Sequence, residues 1–176
     1  MFGFTGRLLC VDLSSGSSSI INLEEKVARS YLGGSGLGAY LLSNMDWSVD
    51  PLDPRSRLAF VTGPLTGTPA PLCSRYSVCA RSPLTSIWGE AHASGFWGPG
   101  LKSAGLDGII IEGKAKQPVY LLIHDDAVVI RDARRLWGKD TYATEDALRQ
   151  EPGAVAEDAE AAAFAEEGDV GGLFGP

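Results

Sequence analysis

The segment from Pro71 to Gly105 has the greatest capacity for ligand chemistry in this sequence. It is rich in Gly, Ser and aromatic residues, and it contains Arg75 inside an apolar run with strand character. Small residues let a ligand approach the backbone closely, and a guanidinium can donate two parallel hydrogen bonds to a phosphate. The segment therefore predicts a flat surface for a large polar ligand. An arginine on a strand face can equally be solvated, so the residues alone leave both interpretations of Arg75 open.

A second candidate donor is His92, which lies among Ala, Ser and Gly residues just before Phe96 and Trp97. An imidazole can donate a hydrogen bond to a ligand oxygen, and Gly95 tolerates unusual backbone angles. Composition alone favours the alternative, a loop histidine in water. No arrangement of Ser, His and Asp in the sequence supports nucleophilic catalysis.

A protein-ligated metal site is not expected. The chain has three cysteines and two histidines, and Cys73 and Cys79 are not at a common zinc or iron–sulfur spacing. An odd number of cysteines without a CxxC pair also argues against a disulfide framework.

Two glycine-rich runs resemble phosphate-binding loops but lack the required context. Gly34, Gly36 and Ala39 fit a G-x-G-x-x-A pattern, yet a predicted helix precedes them where a dinucleotide fingerprint needs a strand. The favoured interpretation is a helix–helix corner. The run from Gly63 to Thr68 follows a predicted strand and is either an anion-binding turn, with the hydroxyls of Thr66 and Thr68 as donors, or a surface loop.

Composition excludes several classes of partner. The 176 residues carry 15 Lys and Arg against 22 Asp and Glu, a net charge of −7, which disfavours nucleic acid. No apolar run is long enough to cross a bilayer, and the first residues show no signal peptide, so a cytoplasmic location is expected by default. The acidity is concentrated in residues 151–169, and the remainder is near neutral and compatible with an anionic ligand.

Alternation of apolar residues and turn signals divide the chain into short elements. Strands are predicted at residues 7–13, 20–23, 58–62, 75–80, 108–112, 119–123 and 128–131. Helices are predicted from an Asn22/Glu25 capping box to residue 31, at 37–43, at 98–104 and, with Thr141 as cap, at 141–150. In the strand at 75–80, Tyr76, Val78 and Ala80 are expected on one face, with Arg75, Ser77 and Cys79 on the other.

The elements predict an α+β fold of mixed or antiparallel β-sheet with short interspersed helices, because no regular β-α-β alternation is present. Residues 1–150 are expected to form the domain. Residues 151–176, rich in Ala and Glu and then in Gly, are expected to be a weakly structured tail without a strand.

A series of short motifs in register resembles the N-terminal domain of the aldehyde ferredoxin oxidoreductases. The motifs, between about Gly6 and Gln150, are GRLLCVDL, YLGGSGLGAYLL, DPLDP, GPLTGT, SRYSV, RSPLT, GFWG, LKSAGLDGIIIEGKA, PVY and IRDA. The resemblance implies a β-rich base beneath a tungsten or molybdenum bis-pterin cofactor, in enzymes that oxidise aldehydes to carboxylic acids and pass electrons to ferredoxin.

The resemblance also implies roles for particular residues. The Arg of the S-R-Y motif, which approaches a pterin phosphate in the family, falls on Arg75, and further pterin contacts fall on His92 and Ser94, with Gly95 as a neighbour of the ligand. The first of these contacts is usually Asn in the family, so His92 is a departure. No residue of the chain is expected to be a catalytic acid or base or a metal ligand.

The sequence lacks the second pterin loop of the family and the cysteines of its [4Fe–4S] cluster, and after Gln150 the resemblance is expected to end. A truncated or frame-disrupted gene, or a free-standing relic of the family, would have such a sequence. The first hypothesis is a pterin-binding N-terminal domain, inactive in aldehyde oxidation when isolated. The alternative is a non-catalytic interaction module that pairs with a partner chain supplying the missing domains, or with a second copy of itself.

Overall fold

The computed structural model describes residues 2–124 and 127–150, and the backbone of 162–164. The chain forms two compact units, Met1–Lys114 and Ala115–Pro176. Their division falls between residues 114 and 115, not at the boundary expected at Gln150, where the composition changes.

The first unit is built on a mixed six-stranded sheet. Its strands are β1 (Arg7–Asp12), β2 (Ser17–Asn22), β3 (Leu58–Thr62), β4 (Tyr76–Arg81), β5 (Trp88–Ala93) and β6 (Gly108–Glu112). They are ordered β2-β1-β6-β3-β4-β5, and only the β1–β6 pair is parallel. The three helices of this unit are α1 (Glu25–Tyr31), α2 (Gly34–Leu42) and α3 (Trp97–Ser103). The expected α+β class, with mixed sheet and short helices, is confirmed.

The second unit has a smaller antiparallel sheet. Its strands, β7 (Val119–His124), β8 (Ala127–Asp132) and β9 (Ala162–Phe164), are ordered β8-β7-β9, and helix α4 spans Thr141–Arg149. The predicted β7–β8 hairpin is confirmed. The expectation that the tail holds no strand is wrong, because residues 162–164 pair with β7 at positions 119–121. The rest of the tail lies outside the described residues.

The core of the first unit follows from the alternation of side chains along its strands. Leu8, Ala59 and Val61 point to one face, where they pack with buried Val27 and Leu37 of the two helices α1 and α2. The opposite residue of β3, Phe60, contacts the ring of Trp97 in α3, with centroids 5.3 Å apart. Each apolar strand is therefore covered on both faces, as its continuous hydrophobic run indicates.

Two predicted helix caps are wrong. Helix α1 begins after Glu24, and no side chain caps it, so Asn22 forms no capping box. Asn22 ends β2 and pairs with Arg7 instead. At α4 the cap is Asp140, whose carboxylate accepts from the backbone N–H of Ala143 at 2.7 Å, and not Thr141. In both cases the capping residue lies one or two positions from the expected one, since sequence patterns locate helix ends poorly.

The glycine-rich run between α1 and α2 is a helix–helix corner, as the favoured interpretation held. Leu32, Gly33 and Gly34 have positive φ values of 60°, 109° and 51°. Helix α2 nevertheless begins at Gly34, three residues earlier than expected. A Cβ at Gly38 would lie 2.6 Å from Sγ of Cys79, so this glycine lets α2 pack closely on β4.

Asp107 is a buried residue, with 1% of its surface exposed, and its carboxylate accepts several hydrogen bonds. Its two oxygens accept from the backbone N–H of Thr5 at 3.0 Å and of Gly6 at 2.7 Å. The ammonium of Lys102 in α3 donates to the same carboxylate and, at 2.8 Å, to the carbonyl of Gly3. A single side chain thus joins the N-terminal segment to α3 and the start of β6.

Replacing Asp107 with Asn is expected to destabilise the chain by about 3 kcal/mol, because the buried Lys102 loses its counter-charge and a backbone N–H loses a carboxylate acceptor. Urea denaturation followed by circular dichroism measures the change. Glu25→Gln, which removes an exposed carboxylate paired with Arg29, is the matched control and should leave the midpoint near that of the wild type. Equal midpoints for the two variants would contradict the structural role of Asp107.

Replacing Gly38 with Ala is expected to destabilise the chain by about 1–3 kcal/mol, because the new methyl group overlaps Cys79. The higher helix propensity of Ala offsets only part of this cost. The same denaturation measurement on Cys79→Ala and on the double variant gives a coupling energy. We expect the double variant to be more stable than the sum of the two single changes indicates.

Candidate functional site

The predicted site residues converge on one end of the β4–β5 pair. The two strands are antiparallel, with Tyr76 opposite Ala93 and Ser77 opposite His92. Arg75 precedes β4 and Ser94 follows β5, so both lie at the same end of the pair. The structure therefore places Arg75 at the same end of the strand pair as His92, Ser94 and Gly95, although Arg75 precedes these three by 17 or more positions in the sequence.

The surroundings of Arg75 differ from those expected. Arg75 is exposed and lies just before β4, not within it. Its backbone carbonyl accepts from the hydroxyl of Thr66 at 2.9 Å, and its side chain has no hydrogen-bond or ion-pair partner in residues 2–124 and 127–150. A guanidinium placed this way can donate two hydrogen bonds to an anion without first breaking a bond to another protein group.

The face of β4 that carries Ser77 and Cys79 is the buried one. These two residues are 4% and 0% exposed, whereas Tyr76, Val78 and Ala80 are only half-buried. The cause is α2, whose glycines bring the helix over the small Ser and Cys side chains. Burial raises the pKa of the Cys79 thiol to about 12, with Glu90 adding to the effect, so Cys79 stays a neutral packing residue.

His92 lies on a strand, which corrects the expectation of a loop histidine. The β5 strand was missed because Trp88–Ala93 is mostly Gly, Ala and charged residues, and its pairing with β4 is what makes it extended. Nδ1 of His92 lies 3.0 Å from the hydroxyl of buried Ser77, and Nε2 lies 3.5 Å from Oε1 of Glu90. Both ring nitrogens therefore have polar neighbours within the chain.

Glu90 is itself held by neighbouring side chains. The indole N–H of Trp88 donates to its Oε2 at 3.1 Å, and the hydroxyl of Ser35 lies near the carboxylate. The bond from Trp88, followed by that from Ser35 and the nearby His92, lowers the pKa of Glu90. Ser35, Ser77 and Glu90 were not singled out as site residues. Ser77 reaches His92 only through the β4–β5 pairing, Glu90 lies on its side of the sheet only because Trp88–Ala93 is a strand, and Ser35 comes near only through the packing of α2.

Ser94 and Gly95 connect β5 to the start of α3. Both are exposed, and Gly95 has a φ of 109°, which L side chains rarely adopt. A Cβ built at Gly95 would meet no atom within 4 Å, so the space above its backbone is open. The backbone at this point can be approached by a flat ligand.

The Gly63–Thr68 turn does not present the donors that an anion site would need. The hydroxyl of Thr66 donates to the carbonyl of Arg75, and that of Thr68 donates to the carbonyl of Leu65 at 2.7 Å. The backbone N–H of Gly63 donates to Thr66 at 3.0 Å. The turn therefore serves to hold the backbone before β4, which favours the surface-loop interpretation.

Other chemistries find no support in the described residues. No group of three or more His, Cys, Asp and Glu side chains there could hold a metal ion. Among the same residues, no helix combines the length and apolar character that crossing a bilayer requires. His124 ends β7 in the second unit.

Comparison with known proteins identifies the relationship. The family model for "Aldehyde ferredoxin oxidoreductase, N-terminal domain" matches residues 8–172. The match continues past Gln150, where the sequence analysis expected the resemblance to end. That expectation rested on the change in composition.

Individual relatives agree with the family model. The tungsten-containing aldehyde ferredoxin oxidoreductase of Pyrococcus abyssi is 50% identical over 154 residues, which are 87% of this chain and 25% of that protein. The aliphatic sulfonate oxidoreductase, WOR-like subunit, of Pyrococcus furiosus is 43% identical over 142 residues, 78% of this chain and 22% of that protein. The chain thus spans about a quarter of the length of these relatives.

A solved structure matches the fold. It is the active site complex BamBC of benzoyl coenzyme A reductase in complex with 1,5-dienoyl-CoA, with a TM-score of 0.82 and 40% identity over 84% of this chain and 23% of that one. The arrangement of the strands, the motifs around Arg75 and the matched range all lead to the same conclusion: the chain belongs to the aldehyde ferredoxin oxidoreductase family and corresponds to its N-terminal domain.

Proposed function

We propose that this chain holds one side of a tungsten or molybdenum bis-pterin cofactor, as the N-terminal domain of an aldehyde:ferredoxin oxidoreductase-type enzyme. The observation that carries the proposal is the position of Arg75. Arg75 is exposed at the end of the β4–β5 pair where Ser94 and Gly95 also lie, and its side chain makes no hydrogen bond or ion pair within the described part of the chain. In this proposal it binds the pterin phosphate.

The residues present fit such a cofactor. A pterin is large, flat and rich in hydrogen-bonding edges, and the open space above Gly95 admits a flat group against the backbone. Ser94 adds an exposed hydroxyl, and His92 adds a ring held in one orientation by Ser77. When bound, the metal and its pterins supply the oxidation–reduction chemistry of aldehyde oxidation, while this chain binds and orients the cofactor.

The rest of the activity would come from elsewhere. Because the chain spans about a quarter of its relatives, the second pterin loop and the [4Fe–4S] cluster are assigned to the remaining domains. The relatives' names point to an aldehyde substrate and to ferredoxin as electron acceptor. We propose that this chain has no aldehyde-oxidising activity by itself and works in the cytoplasm, the location expected from its sequence.

Replacing Arg75 with Ala is expected to lower the pterin content of protein purified from its own host about tenfold. The reason is that the two charge-assisted hydrogen bonds from the guanidinium to the phosphate are lost. Pterin fluorescence after oxidation and metal analysis by mass spectrometry measure the content. Arg29→Ala, which removes an exposed arginine on α1, is the control and should leave the content unchanged. Wild-type protein that is folded but lacks both pterin and metal would contradict the proposal.

A second function, an interaction module, is favoured by one observation. Several large apolar side chains of the first unit are highly exposed, among them Leu72 at 96%, Leu84 at 93% and Phe96 at 85%. Surfaces of this kind often bind another protein surface. The partner would be a chain that carries the missing domains, or a second copy.

Size-exclusion chromatography with light scattering distinguishes the two functions. An interaction module is expected to run as a dimer or larger species, and Leu72→Ser with Phe96→Ser should shift it toward the monomer. A monomer that binds no hydrophobic dye would count against this second function and leave the pterin-binding proposal untouched.

A further inference from the structure

Both ring nitrogens of His92 face polar groups of the chain itself. Nδ1 lies 3.0 Å from the hydroxyl of Ser77, which is 4% exposed, and Nε2 lies 3.5 Å from the carboxylate of Glu90. The side chains of His92 and Glu90 are 46% and 37% exposed. One ring contact is therefore short and part-buried, with a buried partner, and the other is long and open to solvent.

The chemistry of the two partners decides which nitrogen carries the proton in the neutral ring. An ionised carboxylate can only accept, so the nitrogen that faces Glu90 is the donor, Nε2–H. Nδ1 then accepts from the hydroxyl of Ser77. Ser77 lies directly opposite His92 in the β4–β5 pair, beneath α2, which fixes the plane of the ring.

We propose that Glu90 is a built-in competitor at the ligand site: its carboxylate faces Nε2–H of His92, the donor that an acceptor oxygen of an anionic ligand would use. This inference rests on the proposed function, whose ligand carries phosphate and carbonyl oxygens. The ligand binds by displacing Oε1 of Glu90, while Ser77 keeps the ring in place.

The geometry explains why Glu90 leaves and Ser77 stays. The Glu90 contact is at the limit of hydrogen-bond distance and is exposed, whereas the Ser77 contact is short and covered by α2. Helix α2 carries no charged residue, and the thiol of Cys79, opposite Glu90, is neutral. Glu90 and, at the end of the strand pair, Arg75 are thus the charged groups nearest His92 on these elements.

The first test needs no ligand. Long-range ¹H–¹⁵N correlation spectra of the ¹⁵N-histidine-labelled chain, recorded at about pH 8.5, report which ring nitrogen is protonated. The wild type is expected to show Nε2–H, and both Ser77→Ala and Glu90→Ala are expected to show a mixture of tautomers. Predominant Nδ1–H in the wild type would overturn the proposal.

The second test uses inorganic phosphate as the probe and follows the His92 ring signals. Glu90→Ala is expected to bind phosphate about fivefold more tightly than the wild type, because the competing acceptor and its charge are gone. Glu90→Gln, which keeps an acceptor but not the charge, should fall between the two. Glu24→Gln makes the same charge change on an exposed residue before α1 and should match the wild type.

Unchanged or weaker phosphate affinity in Glu90→Ala, or no response of the ring in any variant, would overturn the inference. These outcomes are separate from failure of the proposed function, because neither measurement depends on pterin. A chain that lacks pterin in its own host yet shows the expected tautomer and affinities would retain the Glu90–His92 competition and lose the pterin proposal.

Discussion

The arrangement of the first unit depends on the buried carboxylate of Asp107. This carboxylate accepts hydrogen bonds from the backbone N–H groups of Thr5 and Gly6 and from the ammonium of Lys102. The backbone carbonyl of Asp107 accepts from both the N–H and the hydroxyl of Thr62. A carboxylate removed from water must be paired and hydrogen-bonded, and the partners of Asp107 come from three parts of the chain: the N-terminal segment, α3 and β3. Meeting that requirement fixes the N-terminal segment, α3 and β3 around the start of β6.

The candidate site depends on a second constraint, the close approach of α2 to β4. Gly34 and Gly38 lie against Ser77 and Cys79, where a larger residue would overlap them. This packing buries the Ser77 hydroxyl and directs it to His92, while Ser35 reaches Glu90 from the same helix. The glycine spacing of α2 therefore sets the position of the Ser77 hydroxyl that contacts His92.

The side chain at position 92 decides what kind of hydrogen-bond donor this face presents. An asparagine at position 92 would offer an amide donor that does not titrate, whereas His92 offers an imidazole whose donor is shared with Glu90. The exposed Arg75 and the open backbone at Gly95 remain available to a flat anionic ligand.

Local sequence patterns determined the strands that are rich in β-branched residues, such as Gly108–Glu112 and Leu58–Thr62, because their burial follows from composition. The motifs around Arg75 likewise determined the family. Only the tertiary structure decided that Trp88–Ala93 is a strand, that Ser77 and Cys79 face inward, and that residues 162–164 pair with β7. Each of these depends on a partner distant in sequence, and pairing with such a partner overrides local preference. The contacts of His92 with Ser77 and Glu90 were decided in the same way, since they require residues 88–93 to be extended and paired with β4.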